Sequence, residues 1–329
     1  MMNRLILSLL MLVPLASVHS ADLTGQDILQ ATGVRGGLVV HLGCGDGVLT
    51  TSLRASDAHI VHALDTDPGN VRETRSRIME QNLYGPVSAD QLRGPDLPYI
   101  DNLVNLVVVQ DPGEVPIAEV MRVIAPGGTA YINDGDTWRA EVKPRPEDID
   151  EWSHYLYDAS NNAVADDQVV GPPRRMQWSG GPRYARHHDH MSSLTAAVTV
   201  GGRVFYIIDE APRVSILTPP EWKLVARDAF NGTVLWKRDI PQWHSHLHRL
   251  KSGPSDLPRR LVANGQRVYV TLGIDAPVSA LDAATGETIQ TFEQTAGAEG
   301  MVLSDGVLFV RLGESAVKAV DAETGAVPW

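Results

Sequence analysis

The chain has 329 residues, 43% of them apolar, and a formal net charge of −12 at pH 7. This length is sufficient for two domains, each with its own hydrophobic core. The excess of 40 acidic over 28 basic residues repels phosphate backbones, so no nucleic-acid partner is expected. The single cysteine, Cys44, excludes an intrachain disulfide.

The first 20 residues have the features of a signal peptide. Arg4 makes the N-terminus positive, residues 5–16 form an apolar core, and Val18 and Ser20 are small residues at the spacing that a signal peptidase reads. We expect cleavage after Ser20 and export to the bacterial periplasm or the cell exterior. The apolar stretch is shorter than the roughly 20 residues that cross a bilayer, so no transmembrane segment is expected.

Residues 21–137 alternate between β-branched runs and amphipathic stretches, the pattern of a doubly wound α/β domain with a parallel sheet. The candidate strands are GLVVHLG, HIVHALD, NLVNLVVVQD and GGTAYIND. The candidate helices between them are DPGNVRETRSRIMEQN and VPIAEVMRVIAP, the second of which stops at Pro126. No strand pair follows before Trp138, which predicts an abbreviated sheet.

The first candidate strand leads into a glycine-rich loop, HLGCGDG, with Gly43, Gly45 and Gly47 at alternating positions. A dinucleotide-binding loop would place the third glycine at position 48, where this chain has Val48. The loop instead resembles the first motif of class I S-adenosylmethionine (SAM)-dependent methyltransferases. Four further segments follow in the order found in that Rossmann-like family: HALDTD, VSAD, LPYIDNLVNLVVVQD and EVMRVIAPGGTAYI.

The resemblance implies that SAM is the cofactor and that six residues hold it: Gly43, Gly45, Gly47, Asp65, Asp90 and Asp111. In this family, the carboxylate at the position of Asp65 accepts both ribose hydroxyl protons. The residue at the position of Asp90 lies beside the adenine amino group. Asp111, in the loop after the NLVNLVVVQD strand, would face the same site.

The sequence departs from the family two residues before the first glycine. The family usually carries an acid there, and this chain has His41. A neutral imidazole cannot supply the charge of a carboxylate, and a protonated one would repel the ammonium group of SAM. Two hypotheses remain: an active methyltransferase of unknown acceptor and unassigned catalytic residues, or a degenerate domain that retains the fold without turnover.

Residues 138–181 are rich in Pro, Asp, Asn, Arg and Trp and show no clear period. This composition indicates a connector between two domains. A short helix is predicted around EDIDEWSHYLYD, which corresponds to residues 147–158.

Residues 182–329 change to an all-strand pattern with an internal repeat. ARDAFNGTVLW, ALDAATGETIQ and AVDAETGAVPW share the frame Asp-Ala-x-x-Gly, which begins at Asp228, Asp282 and Asp321. Each segment follows a strand pair joined by a glycine turn. A period near 40 residues built from short strands and tight turns predicts β-propeller blades.

These repeats resemble those of quinoprotein-type (PQQ-like) β-propellers. The aspartate and glycine of the frame form a hairpin turn, and the tryptophan four residues later packs between blades. Gln290 takes the place that Trp236 and Trp329 have in the other repeats. About three blades are present and a closed ring needs four or more, so either the protein is longer or another chain completes the ring.

We expect the propeller to act as a binding platform for a protein or a small molecule. Bound PQQ is not expected, because the neighbouring cysteines typical of quinone dehydrogenases are absent and the ring is incomplete. Two histidine clusters could bind zinc or copper, or they could form a polar propeller face: His187, His188 and His190, and His244, His246 and His248. Neither cluster has a recognised ligand spacing, so no metal is assigned.

Overall fold

The computed structural model describes residues 23–135, 137–172, 176–181, 186, 193–215, 217–245, 247 and 254–327. The expected signal peptide lies outside the described residues. The same is true of five of the clustered histidines and of the last repeat tryptophan: His187, His188, His190, His246, His248 and Trp329.

The N-terminal part is an α/β unit around one mixed sheet of strand order β3-β2-β1-β4-β5-β6. Its strands are β1 (Gly37–Leu42), β2 (His59–Asp65), β3 (Val87–Gln91), β4 (Val104–Val109), β5 (Ile124–Asn133) and β6 (Trp138–Val142). Its helices are α1 (Gly25–Thr32), α2 (Val48–Ser52), α3 (Pro68–Glu80) and α4 (Ile117–Val123). The first five strands are parallel, and β6 runs antiparallel to β5.

The sheet is buried on both faces, which explains the continuous apolar runs of its central strands. On one face, Val39, Val61 and Ala63 pack with Ile78 of α3 in a core that also includes residues of α1. On the other face, Val40, Leu42 and Val107 pack against α4 and the loop after β3. The four strands expected from the sequence are therefore present as β1, β2, β4 and β5.

Two expectations for residues beyond 137 differ from the structure. The sheet continues past that position, because Trp138 begins β6 and stacks on Tyr131 of β5 with ring centroids 5.2 Å apart. The prediction of a helix around residues 147–158 was wrong. Trp152 instead forms an antiparallel bridge with Thr199, so pairing with a distant strand overrides the local helical pattern.

The C-terminal part confirms the propeller prediction with three antiparallel sheets, which do not close a ring. Blade 1 contains β7 (Leu194–Val200), β8 (Arg203–Asp209), β9 (Trp222–Asp228) and β10 (Val234–Asp239). Blade 2 contains β11 (Leu261–Ala263), β12 (Arg267–Thr271), β13 (Val278–Asp282) and β14 (Thr288–Phe292). Blade 3 contains β15 (Ala298–Ser304), β16 (Val307–Leu312) and β17 (Ala316–Asp321).

The repeat aspartates form the turns that end the third strand of each blade. In blade 2, Oδ1 of Asp282 accepts the backbone N–H groups of Ala284 and Thr285, at 2.9 and 2.8 Å. Asp228 and Asp321 make the same pair of hydrogen bonds in blades 1 and 3. The carboxylate thus accepts from turn N–H groups that have no backbone carbonyl to donate to.

A side chain from the preceding repeat covers the turns of blades 2 and 3. Trp236 of blade 1 lies over Gly286 of blade 2, and its indole N–H donates to the Ala283 carbonyl at 3.1 Å. Gln290 takes the equivalent place on blade 3, where its amide donates to the Thr324 carbonyl at 3.1 Å. An amide therefore substitutes for the indole at this position.

Blade 1 is covered in the same way by Trp178, a residue that the sequence places in the connector. Its ring lies over Gly232, and its indole N–H donates to the Ala229 carbonyl at 2.8 Å. Ala229 and Gly232 occupy in blade 1 the positions of Ala283 and Gly286 in blade 2. The stretch 176–181 therefore packs as part of the propeller.

A second part of the connector joins the first strands of the three blades. Trp152 exchanges backbone hydrogen bonds with Thr199 of β7, at 3.0 and 2.7 Å. The Ser153 carbonyl accepts from the N–H of Ala263 in β11 at 3.1 Å. His154 accepts at Nε2 from the N–H of Leu303 in β15 at 3.0 Å.

The two parts of the chain meet where β1 and β4 begin. Oδ1 of Asn105 accepts the backbone N–H of Leu38 at 2.8 Å and the side-chain amide of Asn231 at 2.7 Å. Its Nδ2 donates to Oδ2 of Asp228, in the turn of blade 1, at 2.7 Å. Only an amide can accept and donate in this way, so Asn105 fixes blade 1 to the sheet.

Replacing Asn105 by aspartate should weaken this contact at neutral pH. The Asn105→Asp carboxylate would face that of Asp228, and we expect a loss of roughly 2–3 kcal/mol in the free energy of unfolding. Stability should recover as the pH falls and one carboxyl group protonates, because that group can then donate to the other. Denaturant unfolding at several pH values measures both effects. Asn162→Asp, at an exposed position without a left-handed backbone, is the control. Equal stability of the two variants at pH 7 would show that the Asn105–Asp228 hydrogen bond does not stabilise the contact between blade 1 and the sheet.

Trp178 and Trp236 cover equivalent turns, so removing either ring should destabilise the blade that it covers. We expect Trp178→Ala to cost roughly 1–3 kcal/mol, less than Trp236→Ala, because Trp178 is half-buried and Trp236 is buried. Trp178→Phe keeps most of the ring and should cost about 1 kcal/mol through the lost indole hydrogen bond. Thermal unfolding of the three variants tests this order. An unchanged midpoint for Trp178→Ala would show that the ring contributes nothing to the propeller.

Candidate functional site

Five of the six expected cofactor residues come together where the parallel strands end. Gly43, Gly45 and Gly47 follow β1, Asp65 ends β2, and Asp111 follows β4. The carboxyl ends of neighbouring parallel strands share one edge of a sheet, which is where α/β folds bind ligands. The glycine loop and the acids therefore have the relative placement that the sequence predicts.

The three glycines serve different physical needs. At Gly43 an added Cβ would lie 2.6 Å from the backbone nitrogen of Asp111, and at Gly47 it would lie 2.8 Å from Cα of Thr74. These two positions therefore need glycine for packing within the protein. Gly45 has a φ of +54° and open space where a side chain would project, so this part of the loop can be approached from outside.

Asp65 is already engaged by the protein. Its Oδ2 accepts the backbone N–H of Gly45 at 3.0 Å and the side-chain amide of Asn70 at 3.1 Å. Its Oδ1 accepts the backbone N–H of Asp67 at 2.9 Å, and the residue is only 7% exposed. Because a carboxylate has about four acceptor positions, three of them are used by the loop and the start of α3.

His41 is completely buried and uses both ring nitrogens. Nε2 donates to Oε1 of Gln110 at 3.1 Å, and Nδ1 accepts from the Thr50 hydroxyl at 2.8 Å. Burial lowers the pKa of His41 to about 4, although the hydrogen bond to Gln110 and the charge of Asp65 act in the opposite direction. The imidazole is therefore neutral at pH 7 and supplies no charge to the loop.

Asp90 lies in the edge strand β3, and its carboxylate binds two protein side chains. Oδ1 accepts from Arg75 at 2.6 Å, and Oδ2 accepts from Nε2 of His62 at 3.2 Å. The other ring nitrogen of His62 accepts from the Tyr99 hydroxyl at 2.7 Å, and burial raises the pKa of Tyr99. The carboxylate is 61% exposed, so it can accept further hydrogen bonds from solvent.

Sequence reasoning did not find the partners that satisfy these groups. Asn70 bonds Asp65, Thr50 and Gln110 hold His41, and Arg75 pairs with Asp90. One signal was available, because the Asp-Pro pair at 67–68 begins α3 and places Asn70 in its first turn. The other contacts join residues that are far apart in sequence and have no local pattern.

The donors and acceptors of the loop only partly fit SAM. Space at Gly45 and the position of Asp65 suit a cofactor with a ribose. To bind Asp65 through both ribose hydroxyls, however, the cofactor would have to displace the Gly45 N–H or the Asn70 amide. His41 offers no charge to the ammonium group. The loop therefore lacks part of the charge and the free acceptor positions that SAM requires.

Other candidate positions contribute no additional site. Cys44 is buried beside Thr74, whose hydroxyl donates to Sγ at 3.3 Å, and burial raises the pKa of the thiol. His244 is the one clustered histidine within the described part of the chain, and its Nδ1 donates to the Ser245 carbonyl at 3.1 Å. Among the described residues, no three His, Cys, Asp or Glu side chains are arranged to hold a metal ion.

The fold and this edge define a methyltransferase-like α/β unit joined to propeller blades. A family model described as outer membrane protein assembly factor BamB matches residues 158–329, just over half of the chain, and the chain belongs to that family. A second model, described as a methyltransferase domain, matches residues 39–128. Both resemblances seen in the sequence are thereby confirmed. No curated protein matches the chain.

Three similar solved structures each cover about a third of this chain. A SAM-dependent methyltransferase from Aquifex aeolicus is 19% identical over 33% of this chain and 62% of that one, with a TM-score of 0.28. Geranyl diphosphate C-methyltransferase from Streptomyces coelicolor A3(2) is 16% identical over 33% and 43%, with a TM-score of 0.30. YcgJ from Bacillus subtilis is 19% identical over 33% and 48%, with a TM-score of 0.28. The chain spans about half the length of these proteins.

Within the described residues, no helix is both long enough and apolar enough to cross a membrane.

The buried neutral state of His41 predicts a specific pH dependence of stability. Its pKa is lower in the folded protein than in the unfolded chain, so the unfolded chain binds more protons between pH 6.5 and about 4. Stability should therefore fall as the pH drops through this range. We expect His41 to account for about 2 kcal/mol of the loss at pH 5.

The variant His41→Asn, which does not titrate, isolates this effect. It should be less stable than the native chain at pH 7.5 because packing is lost, and the difference should narrow at pH 5. Denaturant unfolding of both proteins at the two pH values gives the comparison. A difference that stays constant would mean that His41 is not held neutral by burial.

Proposed function

We propose that this protein is an exported binding protein in which the propeller carries the binding surface and the α/β unit is a degenerate methyltransferase domain without turnover. The observation that carries the proposal is the state of Asp65. Its carboxylate accepts three N–H groups from its own chain, two of them from the backbone. A residue that should hold the cofactor thus stabilises the loop itself.

The neutral His41 supports the same conclusion. At the position where related enzymes usually have an acid, this imidazole is fully buried and hydrogen-bonded on both sides. Its effect on an approaching ammonium group is small, because it carries no charge at pH 7. Affinity for SAM would then depend on the loop backbone and the expected acids, without a charge from position 41.

The position of the propeller also favours a binding role. Blade 1 contacts the α/β unit through Asn105, at the start of β4, whereas the glycine loop follows the end of β1. A six-residue strand is roughly 20 Å long, so these two edges are that far apart. The described blades therefore do not supply a wall for a methyl acceptor over the loop.

Membership of the BamB family supports a protein as the partner and the cell envelope as the location. The family is named for an assembly factor of outer membrane proteins, and the substrates of such a factor are themselves proteins. The sequence features of the first 20 residues agree with export.

A SAM-dependent methyltransferase is the second candidate. Gly45 has open space beside it, and Asp65 lies next to it at the correct edge of the sheet. Alignment of donor and acceptor can suffice for methyl transfer, so the lack of an assigned base does not decide against this candidate.

Calorimetric titration of the full chain with millimolar SAM separates the two candidates. We expect no saturable heat from the native protein, because the ribose hydroxyls find Asp65 already engaged. Binding that is lost in Asp65→Ala would overturn the degenerate-domain proposal and establish a cofactor site.

Asp57→Ala is the matched control for that titration, since Asp57 is a fully exposed acid outside the loop. Thermal unfolding of each variant should accompany the titration. If Asp65→Ala is unfolded, Asp65→Asn, which has nearly the same shape, takes its place.

A further inference from the structure

A cleft between the α/β unit and the propeller is separate from the glycine loop. Its larger lobe has a volume of about 770 Å³ and lies between the end of α1, the loop before β2, and Leu235 and Thr285 of the propeller. A smaller lobe of about 180 Å³ extends to Arg203, the first residue of β8 in blade 1. The two lobes share Gly33, Val34, Arg35, Leu235 and Ala284 in their walls.

The cleft lies at the edge of the sheet where β1 begins. Residues 33–36 lead into β1, and Asn105 and Gly128, near the starts of β4 and the main part of β5, also line the smaller lobe. The glycine loop follows the opposite end of β1. A ligand in this cleft would therefore not compete with one at the loop, and the two sites can be tested independently.

Arg203 is one of three charged residues that line the smaller lobe, together with Arg35 and Asp228. It is half-buried, and within the described residues its guanidinium makes one long hydrogen bond of 3.5 Å to the Gly201 carbonyl and no salt bridge. Burial lowers its pKa, and the charges of Asp228 and Asp282 act against that change. A guanidinium has five N–H donors, so most of those on Arg203 have no protein acceptor.

Within the described residues, neither of these acids forms a salt bridge with Arg203, and both accept hydrogen bonds from other groups. Asp228 accepts from Asn105 and from two turn N–H groups, and Asp282 accepts from the N–H groups of Ala284 and Thr285. The arginine therefore keeps its charge and has donors free in a cavity that is open to small molecules.

His59 is the buried polar group of the larger lobe. It is only 4% exposed, and among the described residues its Nε2 makes no complete hydrogen bond. Burial lowers the pKa of the ring, and the nearby backbone of Val34 acts against that change. Its Nδ1 lies 2.9 Å from the Ser56 hydroxyl, which itself accepts the N–H of Ala58, so the hydroxyl proton can be donated to Nδ1. Nε2 then carries a proton, and a buried donor without an acceptor is costly unless a ligand or water supplies one.

We propose that this interdomain cleft binds a small organic anion. Its carboxylate or phosphate group lies against Arg203 in the smaller lobe, and a polar body extends into the larger lobe, where it accepts from His59. Arginine recognises both oxyanions through paired hydrogen bonds. Cavities of this size at domain junctions are common ligand sites. Gly33 and Gly127 have open space beside them and let a ligand approach the backbone.

Calorimetric titration of the full chain with inorganic phosphate and, separately, with acetate tests the Arg203 lobe. We expect saturable binding of one of the two ions, and the ion that binds identifies the oxyanion. Arg203→Gln should weaken this binding by at least about tenfold. Arg139→Gln, which removes an exposed arginine paired with Asp134 and Glu141, should leave it unchanged.

Ala284→Leu provides a second variant in case Arg203→Gln does not fold. Ala284 lines both lobes, and a larger side chain there should block the ion without removing a charge. The absence of saturable binding of either ion to the native chain would overturn the proposal. Binding that persists in both cleft variants would also overturn it, because the ion would then be bound elsewhere.

Glycerol 3-phosphate and His59→Phe test the larger lobe. The hydroxyl groups of this probe can accept from Nε2, so it should bind more tightly than inorganic phosphate. His59→Phe should remove that advantage and leave phosphate binding intact. Equal affinities of the two ligands for the native chain would overturn the role of His59.

Discussion

The arrangement of this protein depends on the side chain of Asn105. Its amide accepts from β1 and from the Asn231 side chain, and it donates to the buried carboxylate of Asp228. At neutral pH no other side chain of this shape both accepts and donates, so the contact joins a parallel sheet to a propeller turn without burying an unpaired charge. It sets blade 1 against the N-terminal edge of the sheet. The interdomain cleft forms beside it, and the glycine loop lies about one strand length away.

The polar groups of the glycine loop differ from those of a working cofactor site. In a working cofactor site, polar groups are held ready for the ligand and are satisfied by it. Here the polar groups of the loop are satisfied within the protein: Asp65 by Gly45, Asp67 and Asn70, and His41 by Thr50 and Gln110. In the cleft, by contrast, Arg203 and His59 each have a donor without a protein acceptor among the described residues. These donors are available to a ligand at the junction of the two parts.

The propeller shows how far a repeat can vary and still pack. Trp178, Trp236 and Gln290 cover successive turn glycines, and each donates to a backbone carbonyl of the next turn. A hydrogen bond is kept although the ring is not, because both an indole N–H and a carboxamide can donate from this position. Its acceptor differs, since Gln290 reaches Thr324 and not the residue directly after the aspartate. Trp178 also shows that the connector belongs to the packing of blade 1. Composition alone could not reveal this, since the residue lies 54 positions before the glycine that it covers.

By itself, the sequence determined the elements with strong local signals. The apolar runs of β1, β2, β4 and β5, the start of α3 at Asp67, and the Asp-Ala-x-x-Gly turns were all readable, because burial and turn chemistry act over a few neighbouring residues. The glycine loop and Asp65 were also placed correctly at one edge, since parallel strands end together. Only the tertiary structure decided that β6 extends the sheet, that residues 152–154 pair with the propeller rather than form a helix, and that Asp65 and His41 are already engaged. Hydrogen bonds between distant residues leave no periodic trace in a sequence, and their free energy outweighs local propensity wherever backbone groups would otherwise be buried without partners.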